Sequence, residues 1–311
     1  MVDNETRRGA VLAVAAFTFW GFTPLYYKLL DSVGALEVLG HRILWTVVFG
    51  CLVIQFRRGW VPLRDALRRP RTLLTLLVSS VLVSINWLIF IYAVQTDRVL
   101  DASLGYYINP VVNVLLGIVI LGERMSTARG IAVALAATGT LVLATSHEGF
   151  PWIALSLAFS FGLYGLLRKQ LNVPVVGGLV VETGYLLPVT AVYLGWLTAS
   201  GSAAMPSQGT AISLLLMAGG PVTMLPLLWF TQAARRLPLS VIGLFQYIGP
   251  TLSFLLAVFV FDESFTRVHA VTFACIWTGL AISTFDSIAR ARKVEALRRT
   301  MVVADGSGRA E

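Results

Sequence analysis

Residues Leu104–Met125 read LGYYINPVVNVLLGIVILGERM, and residues Leu244–Phe265 read LFQYIGPTLSFLLAVFVFDESF. At an offset of 140, Leu104, Tyr107, Ile108, Pro110, Leu115, Leu116 and Glu123 meet Leu244, Tyr247, Ile248, Pro250, Leu255, Leu256 and Glu263. The same offset carries forward, where Gly139 meets Gly279, and backward, where Leu88, Phe90 and Ala93 meet Leu228, Phe230 and Ala233. At an offset of 141, Ala13, Gly21, Leu25 and Lys28 meet Ala154, Gly162, Leu166 and Lys169. Leucine matches are cheap in apolar sequence, but the Pro, Tyr, Glu and Gly matches are not. A fixed offset of this kind is the mark of an internal repeat.

Composition says what the repeat is made of. Of 311 residues 57% are hydrophobic and 13% charged, and the mean hydropathy is +0.78. A soluble domain carries about 25% charged residues, so this chain lacks the charge to wet an ordinary surface. That excludes a soluble enzyme, a disordered protein and a nucleic-acid-binding module. A membrane-spanning helix needs roughly 20 apolar residues. Breaking the apolar runs at charges, Pro and Gly predicts ten spans: 9–29, 35–55, 72–95, 101–121, 127–146, 150–167, 177–198, 211–233, 239–261 and 267–287. Loops are expected over 56–71 and 199–210. The fold class is therefore all-α and polytopic, with ten transmembrane helices as two inverted five-helix repeats, 9–146 and 150–287, and a basic tail at 288–311. Five is an odd number, so the second copy enters the membrane from the opposite side, a construction common in secondary transporters.

The positive charge follows topology. With the N-terminus inside, 20 of the 24 Lys and Arg residues fall in cytoplasmic segments, leaving Lys28, Arg42, Arg98 and Arg267 outside. That is the bias expected of an inner, plasma-membrane protein with both termini cytoplasmic, and it leaves no charge to assign to a nucleic-acid partner. Cys51 and Cys275 lie in apolar runs and read as small core residues.

Pro110 and Pro250 sit at matched positions near the middle of spans four and nine. Each removes a backbone donor and crowds the carbonyl four residues earlier, at Tyr106 and Gln246. They predict helix breaks, and matched interruptions point to a central site; the alternative is a kink that only shapes packing. Tyr106, Tyr107, Asn109 and Asn113 gather around one proline, and Gln246, Tyr247 and Ser253 around the other.

At these residues the chain resembles the EamA-type transporters of the drug/metabolite transporter superfamily. LGER at 121–124 followed by GIAVALAATGTLVL from Gly130 carries the general pattern, which recurs in altered form from Phe261-Asp262-Glu263. The RarD branch is suggested by Trp20-Gly21 with Pro24, His41-Arg42 with Trp45, and Asn86-Trp87. Further likeness lies in Ala102–Pro110, in Glu182–Pro188 and in Gln246–Pro250. It covers about residues 9–287. The second repeat departs from the pattern at Asp262, which replaces the glycine, and at Ala270, which matches Gly130. The resemblance implies a ten-helix carrier of metabolites or drugs, with export as the favoured direction and chloramphenicol linked to the branch by name.

Ionisable residues inside spans face protein or water. Glu182 is the foremost candidate, as a coupling proton site or as a carboxylate paired with Arg168 or Lys169. His41 and Arg42 open span two, as structural residues or as receptors for a substrate carboxylate or phosphate. Asp101 with Arg98 forms a gate or a solvated loop pair. Trp20, Asn86, Trp87 and Tyr164 are candidate pocket walls, with Tyr107, Asn109, Asn113, Gln246 and Tyr247 as further substrate contacts. Glu123 and Glu263 are expected to cap the helices that follow them, spans five and ten. Ala132, Ala136 and Thr140 form a small-residue row for close packing, within the chain or in a homodimer. No catalytic motif, phosphate loop or metal-ligand spacing occurs, so no enzyme, metal or cofactor is expected; the partners are a small-molecule substrate and the lipid bilayer. A membrane enzyme or a non-transporting receptor is the competing class.

Overall fold

The structure, a computed structural model, describes residues 4–121, 127–146, 150–237, 241–242 and 245–286. A chain in hydrocarbon must satisfy its backbone internally, and no strand occurs among the described residues. The helices are α1 (Asn4–Lys28), α2 (Ala35–Phe56), α3 (Trp60–Leu67), α4 (Pro70–Gln95), α5 (Val99–Leu121) and α6 (Thr127–Ala144). They continue with α7 (Trp152–Lys169), α8 (Val175–Ala199), α9 (Ala204–Ser207), α10 (Thr210–Ala234), α11 (Ile248–Phe259) and α12 (Arg267–Asp286). Among the described residues, seven helical stretches are long and apolar enough to cross a membrane: α1, α2, α4, α5, α8 joined to α9, α10 and α12. The apolar stretches of α6 and α11, Gly130–Ala144 and Ile248–Phe259, are shorter, and α7 ends in Arg168 and Lys169. The protein is an all-helical, polytopic membrane protein. The surface agrees, since Val119, Val189, Val192 and Phe259 are each more than 70% exposed, a face that lipid rather than water would cover.

Two expected loops hold helices. In 56–71, α3 buries Leu63 beside Ile54, Leu179 and Val180 while Arg64 and Arg68 stay exposed; the amphipathic turn is too short to register as a span. In 199–210 lies the single turn α9. The two prolines sit differently. α5 runs uninterrupted through Pro110, so the break expected there is absent: the helix continues on both sides and neighbouring helices enclose it. In span nine the chain turns at Gln246 and Tyr247, and Pro250 falls in the first turn of α11, the helix that follows, where a missing N–H removes no intrahelical bond.

Packing brings distant parts of the chain together. α5 lies on α7 and α11, α2 on α8 and α10, α1 on α10 and α11, and α4 on α7 and α8. The main core runs through Tyr27, Phe90, Ile91, Leu104, Tyr107 and Phe273. α6 and α12 meet through glycine. A Cβ on Gly139 would sit 3.0 Å from the Thr272 carbonyl oxygen, and one on Gly279 would sit 2.9 Å from that of Ala132. Thr272 Oγ1 donates to the Gly139 carbonyl at 3.1 Å. Ala132 and Ala136 are buried, so the small-residue row is used within the chain.

Candidate functional site

Glu182 is the eighth residue of α8 and its side chain has no exposed surface. Ser79 Oγ of α4 donates to its Oε1 at 2.5 Å, and the Tyr164 hydroxyl of α7 donates to Oε2 at 3.3 Å. Arg168 Nη1, also from α7, lies 3.6 Å from Oε1. Of the two cations the sequence offered, Arg168 is the one that reaches it. Gly178, one turn before Glu182, makes the approach possible: an added Cβ would lie 2.1 Å from Arg168 Nη1. The carboxylate is thus compensated from within the protein.

Arg42, on α2, has different surroundings. Its guanidinium carbon stands 3.8 Å from the centre of the Trp87 ring and 5.7 Å from that of Tyr27, and its Nε donates to Thr223 Oγ1 at 3.0 Å. A Cβ on Gly219 would meet Arg42 Cα at 3.2 Å and the Tyr26 hydroxyl at 3.4 Å, so α10 passes α2 closely here. His41, its neighbour in sequence, is buried and faces Glu37, with Nε2 3.9 Å from Oε1. Glu37 in turn accepts the backbone N–H of Ala204 at 2.7 Å.

Apart from Trp87 and Tyr164, the aromatic and amide candidates separate into three places. Tyr107 and Tyr247 stack at 6.4 Å with 16° between planes, and the Tyr107 hydroxyl shares a 2.6 Å hydrogen bond with Thr251. Gln246 is half-buried beside Tyr247. Asn86 donates to Leu157 O and Ser160 Oγ and accepts from the Tyr106 hydroxyl, which binds α4 to α7 and α5. Asn109 donates to Ala158 O and accepts from Asn113. Trp20 stands apart, among Phe17 and Phe230. The structure therefore joins Trp87 to Arg42 and Tyr164 to Glu182, and brings Trp20 to neither.

At the end of the bundle near α5, Asp101 pairs with Arg98 at 2.6 Å. Glu263 is a cap, but not of the helix that follows it. Its carboxylate accepts the backbone N–H groups of Val99 and Leu100 at 2.6 and 2.7 Å, so it caps α5 from the far end of α11. Burial pushes this carboxyl above its ordinary range, against the pull of the two N–H groups. Glu123 and the tail 288–311 lie outside the described residues. The sequence reading does not single out Ser79, Thr223, Tyr26 or Tyr27; a hydroxyl in an apolar span is the signal that could have found the first two.

The comparisons with known proteins agree with this framework. Residues 7–145 match the EamA-like transporter family. An uncharacterized transporter of Vibrio cholerae is 47% identical over 92% of this chain and 95% of its own length. Protein RarD of Escherichia coli K12 is 46% identical over 94% of this chain and 99% of its own. A solved crystal structure superposes with a TM-score of 0.56 at 21% identity, covering 89% of this chain and 96% of that one, a likeness of fold alone. The chain belongs to the EamA-like transporters, in their RarD-type branch, and is a membrane transporter of the drug/metabolite type.

Proposed function

We propose that the protein is a secondary carrier that exports small organic molecules across the plasma membrane by alternating access between two inverted five-helix repeats, 9–146 and 150–287. The observation that carries the reading is the packing. Under the 140-residue offset α1, α2, α4, α5 and α6 map onto α7, α8, α10, α11 and α12. The observed contacts then fall into exchanged pairs: α5 on α7 with α11 on α1, α2 on α10 with α8 on α4, and α1 on α10 with α7 on α4. Gly139 against Thr272 and Gly279 against Ala132 are a further exchanged pair. Exchange of the conformations of two such halves turns a cavity open to one side into a cavity open to the other. The charge bias of 20 basic residues to four supports ten spans with both termini cytoplasmic.

In this reading the substrate site lies between the halves, between α5 and α11 and walled by α1, α4, α7 and α10, and Glu182 is the group that would bind a coupling proton. An uncoupled facilitator is the second reading. The Arg168 contact favours it, because a carboxylate with its own internal cation needs no proton to be buried.

Flux in proteoliposomes tests both. Purified protein is offered amino acids, nucleosides and amphenicol-type drugs, with and without a pH gradient. Saturable flux is expected. Collapse of flux without the gradient, together with its loss in Glu182→Gln, supports proton coupling; flux indifferent to the gradient supports the facilitator. No flux for any compound overturns the carrier.

A further inference from the structure

Resting on the carrier reading above, we infer that Arg42 is the receptor for an anionic group, and that the substrates of this protein are organic carboxylates with a flat apolar body. Arginine offers five N–H donors in a planar fork suited to carboxylate. Its Nε donates to Thr223 and the guanidinium lies against the Tyr27 hydroxyl, while among the described residues no carboxylate pairs with this side chain. A charge set among helices in a low-dielectric setting is ordinarily compensated by a partner.

A second observation points the same way. The Tyr27 side chain is 98% buried, at 2% exposure; the Arg42 guanidinium stands against its hydroxyl, and the hydroxyl proton finds no acceptor. A buried hydroxyl whose proton lacks an acceptor, next to a cation without a carboxylate, is the arrangement that a bound carboxylate would complete, since its oxygens can accept from both. The remaining walls settle the body of the ligand. The guanidinium rests on Trp87, Tyr26 stands at Gly219, and Tyr106 packs edge-on against Phe90, which itself packs on Tyr27. The Tyr26 and Tyr106 hydroxyls are spent on Leu215 O and Asn86 Oδ1, so what these rings offer is mainly flat apolar surface. Glu37, the acidic residue nearest in sequence on α2, is already engaged with Ala204, so it does not neutralise the site.

The same anionic chemistry is carried by lipid headgroups. The enclosing aromatic residues, drawn from α1, α4 and α5, favour a soluble ligand over a lipid.

The test is thermal unfolding of the full chain in neutral detergent with benzoate, its uncharged counterpart benzamide, phenyl phosphate, and phosphatidylglycerol. Benzoate is expected to raise the melting temperature and benzamide to leave it unchanged. In Arg42→Gln the benzoate affinity is expected to fall at least tenfold, with Arg42→Lys intermediate because it keeps the charge and loses the fork. Thr223→Val serves as a second variant should Arg42→Gln fail to fold, with a weakened benzoate response expected. Equal responses to benzoate and benzamide, an unaltered response in both Arg42→Gln and Thr223→Val, or no response to any anion would each overturn the inference. A response to phosphatidylglycerol or to phenyl phosphate without one to benzoate would also overturn it, by moving the site to a phosphate. The two readings fail separately: benzoate binding that depends on Arg42 without flux in proteoliposomes keeps the site and sinks the carrier. Flux of neutral compounds unchanged in Arg42→Gln keeps the carrier and sinks the anion site.

Discussion

Arg42 and Glu182 occupy the same register in two different helices. Each is the eighth residue of its helix, α2 or α8, and they lie 140 residues apart, the offset at which the two halves of the sequence align. Glu182 is fully buried and meets two hydroxyls and a guanidinium. Arg42 is half-buried, with the Thr223 hydroxyl and a ring face. Opposite charges at one register thus have opposite fates: the anion is neutralised inside the protein and the cation is left open. The difference shows where the molecule spends structure on electrostatics and where it leaves room for something else to complete the charge.

The largest effect should come from opening the closed pole. Glu182→Ala leaves Arg168 as an unpaired cation whose Nη1 already lacks a hydrogen bond. Breaking a buried pair on one side costs about 3–5 kcal/mol, read as lost stability in denaturant unfolding in micelles. Arg42→Ala strands no counter-charge and should cost less than half as much. Equal losses would break the comparison.

Next comes Gly178→Leu, which fills the space taken by Arg168. A loss of about 1–3 kcal/mol is expected from overpacking, and much of it should vanish in an Arg168→Ala background. A double-mutant cycle with no coupling would show that Gly178 is not there for Arg168.

Smaller still is the contrast between hydroxyls. Ser79→Ala removes a hydrogen bond to a buried carboxylate and should cost about 1–2 kcal/mol. Thr223→Val removes one from a half-buried guanidinium that also rests on Trp87, and should cost about 0.5 kcal/mol. A reversed order would place the more enclosed charge at Arg42. The smallest effect belongs to Tyr27→Phe. Deleting a hydroxyl whose proton lacks an acceptor should shift stability by no more than about 0.5 kcal/mol, while weakening the response to benzoate. A large loss of stability would mean that the hydroxyl has a structural partner.

How far the sequence was legible follows from the range of each interaction. The helical runs and the 140-residue offset are written in apolar periodicity and in Pro, Tyr and Gly, so they could be read directly. The Arg168 contact is one of two alternatives, because a cation and a carboxylate 14 residues apart meet only if α4, on which both helices lie, holds α7 and α8 at the right height. Trp20 and Asn86 both read as pocket walls, yet a helix turns each residue to one side, and Trp20 faces Phe230. Pro110 reads as a break because proline removes a bond from an isolated helix. Enclosure by α7 and α11 was not visible in the sequence. Glu263 was assigned to the helix after it on grounds of proximity in the chain, whereas the N–H groups it caps are more than 160 residues away.

The contact between α6 and α12 has a consequence for assembly. Gly139 meets Thr272 and Gly279 meets Ala132, so each face is complementary to its own counterpart, as in an isologous dimer. Here both partners belong to one chain, and tethering keeps them at a high effective concentration whatever the protein concentration. The same complementarity is a hazard once the tether is loosened. If α12 is displaced, α6 presents the surface that another chain's α12 fits, and the contact becomes a route to domain-swapped dimers.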